Sequence, residues 1–151
     1  MRHHSFTRRS FTLLASAMAA AATGQALAET AGKVSFVTGN VTATTPDGQS
    51  RALRRGDAIN GGDRIETRGG RLQIRFTDGG FVALQPNTEF RIDSYRFDMA
   101  EQKNFMTLVR GALRTVSGAI GKRNRDDYRM TTPSATIGIR GTEYEANETV
   151  C

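Results

Sequence analysis

The sequence predicts an all-β protein: a single domain of short, mostly antiparallel strands forming a sandwich- or roll-like structure, preceded by a cleavable signal peptide. Two observations carry the fold class. Runs of β-forming residues recur between turn signals such as Asp-Gly and Gly-Gly, without a long helical pattern. Leu72, Ile74 and Phe76 alternate with polar residues, a period of two that places one face of a strand in the core and the other in water.

The first 28 residues have the parts of a bacterial signal peptide. Arginines near the start supply positive charge, residues 13–22 form a short apolar run, and Ala26-Leu27-Ala28 fits the small-residue cleavage pattern. The run is about half as long as a membrane-spanning helix, and no later run approaches that length. The prediction is a leader over residues 1–28 and a periplasmic or secreted protein without a membrane span. An amphipathic first helix that stays attached is the alternative.

The leader also carries a candidate export motif. Thr7-Arg8-Arg9-Ser10-Phe11 resembles the twin-arginine signal, in which leucine usually follows where this chain has Thr12. The incomplete motif leaves both the Sec and the twin-arginine routes open. A lipid anchor is not expected, because the cleavage site lacks a cysteine.

Turn signals divide the first half of the mature chain into short strands. They are Gly39-Asn40, Asp47-Gly48, Gly56-Asp57 and Gly61-Gly62-Asp63. Such close spacing of turns is typical of a sandwich, barrel or roll. The strands predicted between them cover residues 34–37, 41–44, 51–53, 58–59 and 64–67.

The second half contains a strong hairpin signal. Asp78-Gly79-Gly80 joins the strand around Ile74 to residues 81–84. A phase slip near Asp93-Ser94 predicts a bulge in the next strand. Ile74 and Ile137 are predicted core residues. Polar loops are expected over residues 98–103 and 118–127, and strands over residues 90–95, 105–109, 113–116, 129–131, 135–139 and 142–146.

The amount and distribution of charge limit the classes of macromolecule that the protein is expected to bind. Three of the 21 basic residues and none of the 15 acidic residues lie in the leader, so the remaining chain carries a net charge of +3. Nucleic-acid binding is not expected, because it needs a clustered basic stripe and these charges are interspersed. Two small basic clusters are predicted to be exposed loop charge, with an envelope polyanion or an acidic protein as the alternative partner. They are Arg51, Arg54 and Arg55, and Lys122, Arg123 and Arg125.

Histidine and cysteine are scarce. His3 and His4 lie in the leader, which removes the commonest general base and metal ligand from the mature chain. Cys151 is the single cysteine, so no internal disulfide can form. Its place at the end of the chain has two interpretations, pairing with another molecule or truncation of a longer protein.

Several motifs in order resemble the FecR domain. Gly62-Asp63-Arg64-Ile65-Glu66-Thr67 is similar to its G-D-x-I-x-T segment, residues 72–84 to its central hairpin, and residues 86–92 to the strand that follows. Residues 135–144 resemble the segment that closes the domain in free-standing exported versions. The resemblance covers most of residues 32–146, the predicted FecR-like β domain, and implies an all-β, non-enzymatic domain.

The resemblance also implies a place at the envelope. In the family's namesake, the domain lies on the periplasmic side of an inner-membrane anti-sigma regulator and relays a signal from an outer-membrane siderophore receptor. This sequence is expected to lack both a sigma-binding segment before the domain and a retained transmembrane helix. The transmembrane signalling role is therefore not carried over.

Carboxylate pairs are the main candidates for chemistry. Glycoside hydrolysis needs two carboxyl groups, and Asp57 with Asp63, or Asp126 with Asp127, are the candidate pairs. We expect Asp57 and Asp63 to accept hydrogen bonds from backbone amides at their turns. Asp126 and Asp127 are expected to pair with nearby arginines on the surface.

Loops give no further site. Calcium at Asp47-Gly48 or Asp78-Gly79 is not expected, because the full acidic spacing of a calcium loop is absent. Residues 138–141 lack the ending of a phosphate loop and open no helix, so a close-packed strand with Arg140 paired to a carboxylate is expected. No catalytic, cofactor-binding or metal-binding residue is predicted, and the binding residues stay unknown.

The sequence thus predicts a non-catalytic exported FecR-domain protein that has a binding or scaffold role in the bacterial envelope. Its partner would be a protein or an envelope polymer. Two alternatives stay open: a periplasmic signalling component that binds an outer-membrane receptor, and the N-terminal module of a truncated, adhesin-like protein. The oligomeric state stays open too.

Overall fold

The computed structural model describes residues 28–138 and 143–149. Residues 1–27 of the predicted leader, Arg140, Cys151 and the side chain of Ile137 lie outside this description. The strands are β1 Thr30–Thr44, β2 Ser50–Ala52, β3 Ala58–Asn60, β4 Arg64–Phe76, β5 Phe81–Leu84, β6 Thr88–Phe97, β7 Gln102–Val116, β8 Tyr128–Thr131, β9 Thr136–Gly138 and β10 Glu143–Glu148. A short helix, α1, is Ala119–Arg123, and a 3-10 turn covers Arg125–Asp127. The all-β prediction is confirmed.

Three long strands, β1, β4 and β7, organise the sheet by pairing with different neighbours along their two halves. β3 and β2 pair with the first and last residues of β1, and β4 pairs with β1 on its other side. The free side of β4 pairs with β6 through residues 64–67 and with β5 through residues 72–75. β6 and β5 then pair with the first and second halves of β7. Strands β4, β5, β7 and β6 therefore close a hydrogen-bonded ring.

Glycines let the long strands bend without ending. The turn predicted at Gly39-Asn40 is wrong, because β1 continues through it with a register shift against β4. Gly39 has a φ of +67°, and a Cβ there would lie 2.7 Å from the Cα of Gly70, so the two backbones cross too closely for a side chain. Residues 68–71, between the strands predicted at 64–67 and around Ile74, likewise form a bend inside β4, and Gly111 marks a bend inside β7. The predicted short strands are halves of longer ones.

Two threonine hydroxyls complete the backbone hydrogen bonding between the end of β5 and the start of β6, beside the bend of β7. Thr88 Oγ1 donates to the carbonyl of Ala112 and accepts from its amide, both at 3.1 Å. Thr67 Oγ1 donates to the carbonyl of Gln85 at 2.7 Å and accepts from the amide of Thr88 at 2.9 Å. These hydroxyls satisfy backbone groups that the interrupted strand pairing leaves over.

Strand direction explains the one helix of the described chain. Among the described strands, every pairing is antiparallel except that of β7 with β8. Parallel neighbours need a crossover connection, and α1 with the 3-10 turn supplies it. The loop predicted over residues 118–127 is wrong in that part. The bulge predicted near Asp93-Ser94 is confirmed by a register shift between Ile92 and Ser94.

The core contains the inward side chains of both halves of the long strands. Ile74 is fully buried, as predicted, with Leu72 and Phe76 on the same side of β4. The other large, fully buried side chains are Phe90, Ile59, Ile65, Leu84, Ile92, Met106, Leu108, Ile120, Met130 and Val34.

Within the described ranges, no helix has the length and apolar character needed to cross a membrane.

Buried tyrosines make the folded state less stable at alkaline pH. The chain has three tyrosines; burial raises the pKa of Tyr95 to about 12, and burial also raises the pKa of Tyr128 and of Tyr144. The folded state keeps protons that the unfolded chain releases near pH 10, so the free energy of unfolding falls as the pH rises from about 10 towards about 12.

We expect the folded protein to show little tyrosinate absorbance at pH 10.5, whereas the protein unfolded in urea shows three titrating tyrosines. Tyr95→Phe should reduce the unfolded signal by one tyrosine. A folded protein whose tyrosines all titrate near pH 10, with an unchanged circular dichroism spectrum, would contradict this account.

Candidate functional site

The first candidate carboxylate pair has a structural role. Asp57 Oδ2 accepts a hydrogen bond from the amide of Arg54 at 2.7 Å. Asp63 is fully buried, and its Oδ2 accepts from the amide of Asn60 at 3.0 Å and from Arg51 at 3.1 Å. Both side chains therefore bind turn amides, as the sequence predicts. Arg51, expected as exposed loop charge, is held by the buried Asp63.

Asp78 joins two elements that are distant in sequence. Its carboxylate is nearly buried; Oδ1 accepts from the amide of Gly80 at 3.0 Å and Oδ2 from the amide of Ile120 at 3.2 Å. Its own amide donates to Tyr95 Oη at 3.1 Å. The Asp-Gly signal predicts only the hairpin turn, because the contact with α1 depends on the tertiary fold. Both carboxylate oxygens bind protein amides.

Two of the remaining acidic candidates, Asp127 and Asp47, also bind neighbouring protein groups. Asp127 Oδ2 accepts from Asn124 Nδ2 at 2.9 Å. In the described part of the chain, neither Asp126 nor Asp127 forms an ion pair, so the predicted pairing with arginines is wrong. Asp47 accepts from the Thr45 hydroxyl, which lowers the pKa of its carboxyl group. Among the described residues, no group of three or more acidic, His or Cys side chains could hold a metal ion.

Glu89 is a buried charge that the sequence reasoning missed. Its side chain is 9 % exposed and forms ion pairs with Arg64 and with Arg110, the latter at 3.4 Å. The register of β6 against β7 places Glu89 directly opposite Arg110. Two half-exposed arginines therefore compensate the buried carboxylate. Only the strand register, which the sequence does not give, brings these three residues together.

The turn between β6 and β7 projects an apolar side chain into water. Asp98 Oδ1 accepts hydrogen bonds from the amides of Glu101 at 2.7 Å and Ala100 at 2.8 Å, and these bonds lower the pKa of the Asp98 carboxyl group. The amide of Asp98 donates to the carbonyl of Glu101 at 3.1 Å. This fixed turn holds Met99 with its side chain fully exposed.

A groove lies between this turn and the crossover segment. One depression, of about 410 Å³, is lined by Phe97, Asp98, Met99, Gln102 and Arg123. A second, of about 300 Å³, shares Met99, Gln102 and Arg123 and extends to Asp127. We call the two together the hairpin-tip groove. It combines an exposed methionine with an arginine, a set of groups suited to contact with another macromolecule.

The crossover segment adds positive charge beside the groove. Lys122, Arg123 and Arg125 are exposed, and none of them forms an ion pair with a described residue. The other basic cluster differs in part: Arg54 and Arg55 are exposed, whereas Arg51 binds Asp63. Arg123 of the first cluster lines the hairpin-tip groove together with Met99, whereas no residue of the second cluster does.

Comparison with known proteins identifies the family. A family described as FecR protein matches residues 63–150 of this chain. The chain belongs to the FecR family. The resemblance seen in the sequence motifs is thereby confirmed. The match begins at Asp63, just before β4, yet β1 pairs along β4 and β3 pairs with β1, so the sheet of this FecR protein extends to strands before the matched range.

The chain was also compared with solved structures and with curated proteins. A solved structure described as a cell surface anchoring domain is 31% identical, with a TM-score of 0.39, over 40% of this chain and 82% of that chain. No curated protein matches the chain.

Proposed function

We propose that this FecR protein is exported and acts without catalysis, as a binding or scaffold protein in the periplasm or outside the cell. Membership of the FecR family supports an envelope role, and the composition of residues 1–28 supports export through a cleavable leader. The structural use of Asp57, Asp63 and Asp78 supports a non-catalytic role, because these carboxylates are engaged by protein amides.

The exposure of Met99 carries the proposal of a binding site. A methionine on a fixed turn adds nothing to the core, yet its flexible, polarisable side chain suits contact with a varied apolar partner surface. Burial of that side chain by a partner would be favourable, because apolar surface leaves water. The turn is held by the Asp98 hydrogen bonds, so the side chain is presented without further ordering of the backbone.

The charges beside Met99 indicate the chemistry of the partner. Arg123 lines the groove with Met99 and forms no ion pair with a described residue, whereas the acidic groove residues Asp98 and Glu101 are paired with Arg96. Arg123, with Lys122 and Arg125 on the same segment, would attract acidic groups around an apolar contact, and complementary charge gives both specificity and faster association. We therefore propose a protein partner with an acidic rim around an apolar patch. An outer-membrane receptor with such a periplasmic surface is one member of that class.

The test is a pull-down from envelope extracts, with matched charge reversals in the purified protein. Arg123→Glu lies in the hairpin-tip groove, and Arg55→Glu makes the same change in the other basic cluster. We expect wild type and Arg55→Glu to retain one envelope protein, and Met99→Glu and Arg123→Glu to lose about nine-tenths of it or more.

Equal retention by all four proteins would contradict the proposed site, and equal loss in Arg55→Glu would show attraction by charge alone. Hydrolysis of an envelope glycan by the purified protein, abolished in Asp57→Asn, would contradict the non-catalytic role.

A further inference from the structure

A second surface, separate from the hairpin-tip groove, is the solvent side of five neighbouring strand segments. The order of these segments across the sheet is β1, β4, β5, β7 and β10. We call this surface the outer face. One row across it is Lys33, Arg75, Phe81, Val116 and Glu143. The next row is Phe36, Gln73, Ala83, Arg114 and Glu145.

The middle of the outer face is apolar. Phe81 and Ala83 of β5 and Val116 of β7 are half-buried there. A shallow groove of about 420 Å³ is lined by these three side chains and by Gln73. Phe36 is 44 % exposed, one of two large hydrophobic side chains with such exposure in the described residues, and it lies at the β1 edge of the face, next to Gln73. These side chains stand on hydrogen-bonded strands, so the sheet fixes their positions.

Charge is divided across this apolar middle. Lys33, Arg71 and Arg75 lie on the β1 and β4 side, and in the described chain none of them forms an ion pair. Glu143 and Glu145 lie on the opposite side, along β10. Glu143 pairs with Arg114, whereas Glu145 forms no ion pair in the described part. One side of the outer face is thus basic and the other acidic.

From this arrangement we infer that the outer face binds a second copy of this chain. A two-fold axis that runs along the strands, between two stacked outer faces, places β5 against β5. The basic side of each copy then meets the acidic side of the other, twice by symmetry. The apolar middles stack at the centre, where they leave water. A partner of single charge would match only one side of the face.

Sedimentation of the purified protein, in reductant to exclude a Cys151 link, tests this inference. We expect a dimer whose dissociation constant rises with salt and rises about tenfold or more in Phe81→Glu. The charge-swap pair is the sharper test. Lys33→Glu/Arg75→Glu and Glu143→Lys/Glu145→Lys should each be monomeric alone and form a mixed dimer when combined.

Circular dichroism melts establish that each variant folds, and Met99→Glu serves as a control that should dimerise like wild type. The inference is overturned if the wild type is a monomer at every concentration. It is also overturned if the two charge variants do not combine, or if Phe81→Glu dimerises as well as wild type.

Discussion

Replacement of Ile74 by alanine is expected to lower the free energy of unfolding by about 2–5 kcal/mol. Ile74 is fully buried in the second half of β4, between strands β1 and β5. Truncation removes apolar contacts and leaves a cavity that fixed sheet neighbours cannot collapse to fill. Urea unfolding followed by circular dichroism measures the change.

The adjacent Gln73 is the matched control for Ile74. Its side chain projects to the opposite side of the same strand and is half-buried, so Gln73→Ala should cost less than about 0.5 kcal/mol. If Ile74→Ala also cost less than that, the assignment of inward and outward faces in β4 would be wrong.

Replacement of Gly111 by alanine is expected to cost a similar amount, about 2–5 kcal/mol, from backbone strain and from steric overlap. Gly111 has a φ of +93°, and a Cβ there would lie 2.6 Å from the Cα of Thr88. Neither group can move freely, because Thr88 bonds both the amide and the carbonyl of Ala112. We therefore expect Gly111→Ala to disrupt both the bend of β7 and the contact of β7 with Thr88.

Gly48 is the control that separates backbone strain from steric overlap. Its φ is +90°, but a Cβ there would meet no atom within 4 Å, so Gly48→Ala should show the backbone strain alone, about 1–3 kcal/mol. Thermal and urea unfolding of both variants measure the difference. Equal losses in Gly48→Ala and Gly111→Ala would mean that β7 does not pass so close to Thr88.

Local patterns in the sequence predicted the fold class, most turns and the face of β4, because period-two alternation and Asp-Gly pairs have local causes. Gly39-Asn40 shows the limit. The same kind of signal makes a true turn at Asp47-Gly48 but only a bend at Gly39, where Gly70 of β4 crosses β1. Which outcome occurs depends on the partner strand, and no window of sequence contains that information.

The candidate surfaces show the same limit. The sequence predicted the polar loop that contains Met99. Asp98 is a turn signal, because an aspartate side chain can accept hydrogen bonds from the backbone amides that follow it. The full exposure of the methionine depends instead on the packing around it. For the outer face, alternation places Gln73 and Arg75 on the solvent side of β4. The acidic residues of β10 join that face only through pairing with β7, a contact between distant segments.

Photocrosslinking in intact cells tests the proposed function most directly. A photoreactive amino acid at position 99 reports what touches the hairpin-tip groove, and the same group at the exposed position 49, in the turn after β1, is the control. The account predicts a covalent adduct with one envelope protein from position 99 and none from position 49. No adduct from position 99 in the exported, folded protein, or the same adducts from both positions, would contradict it.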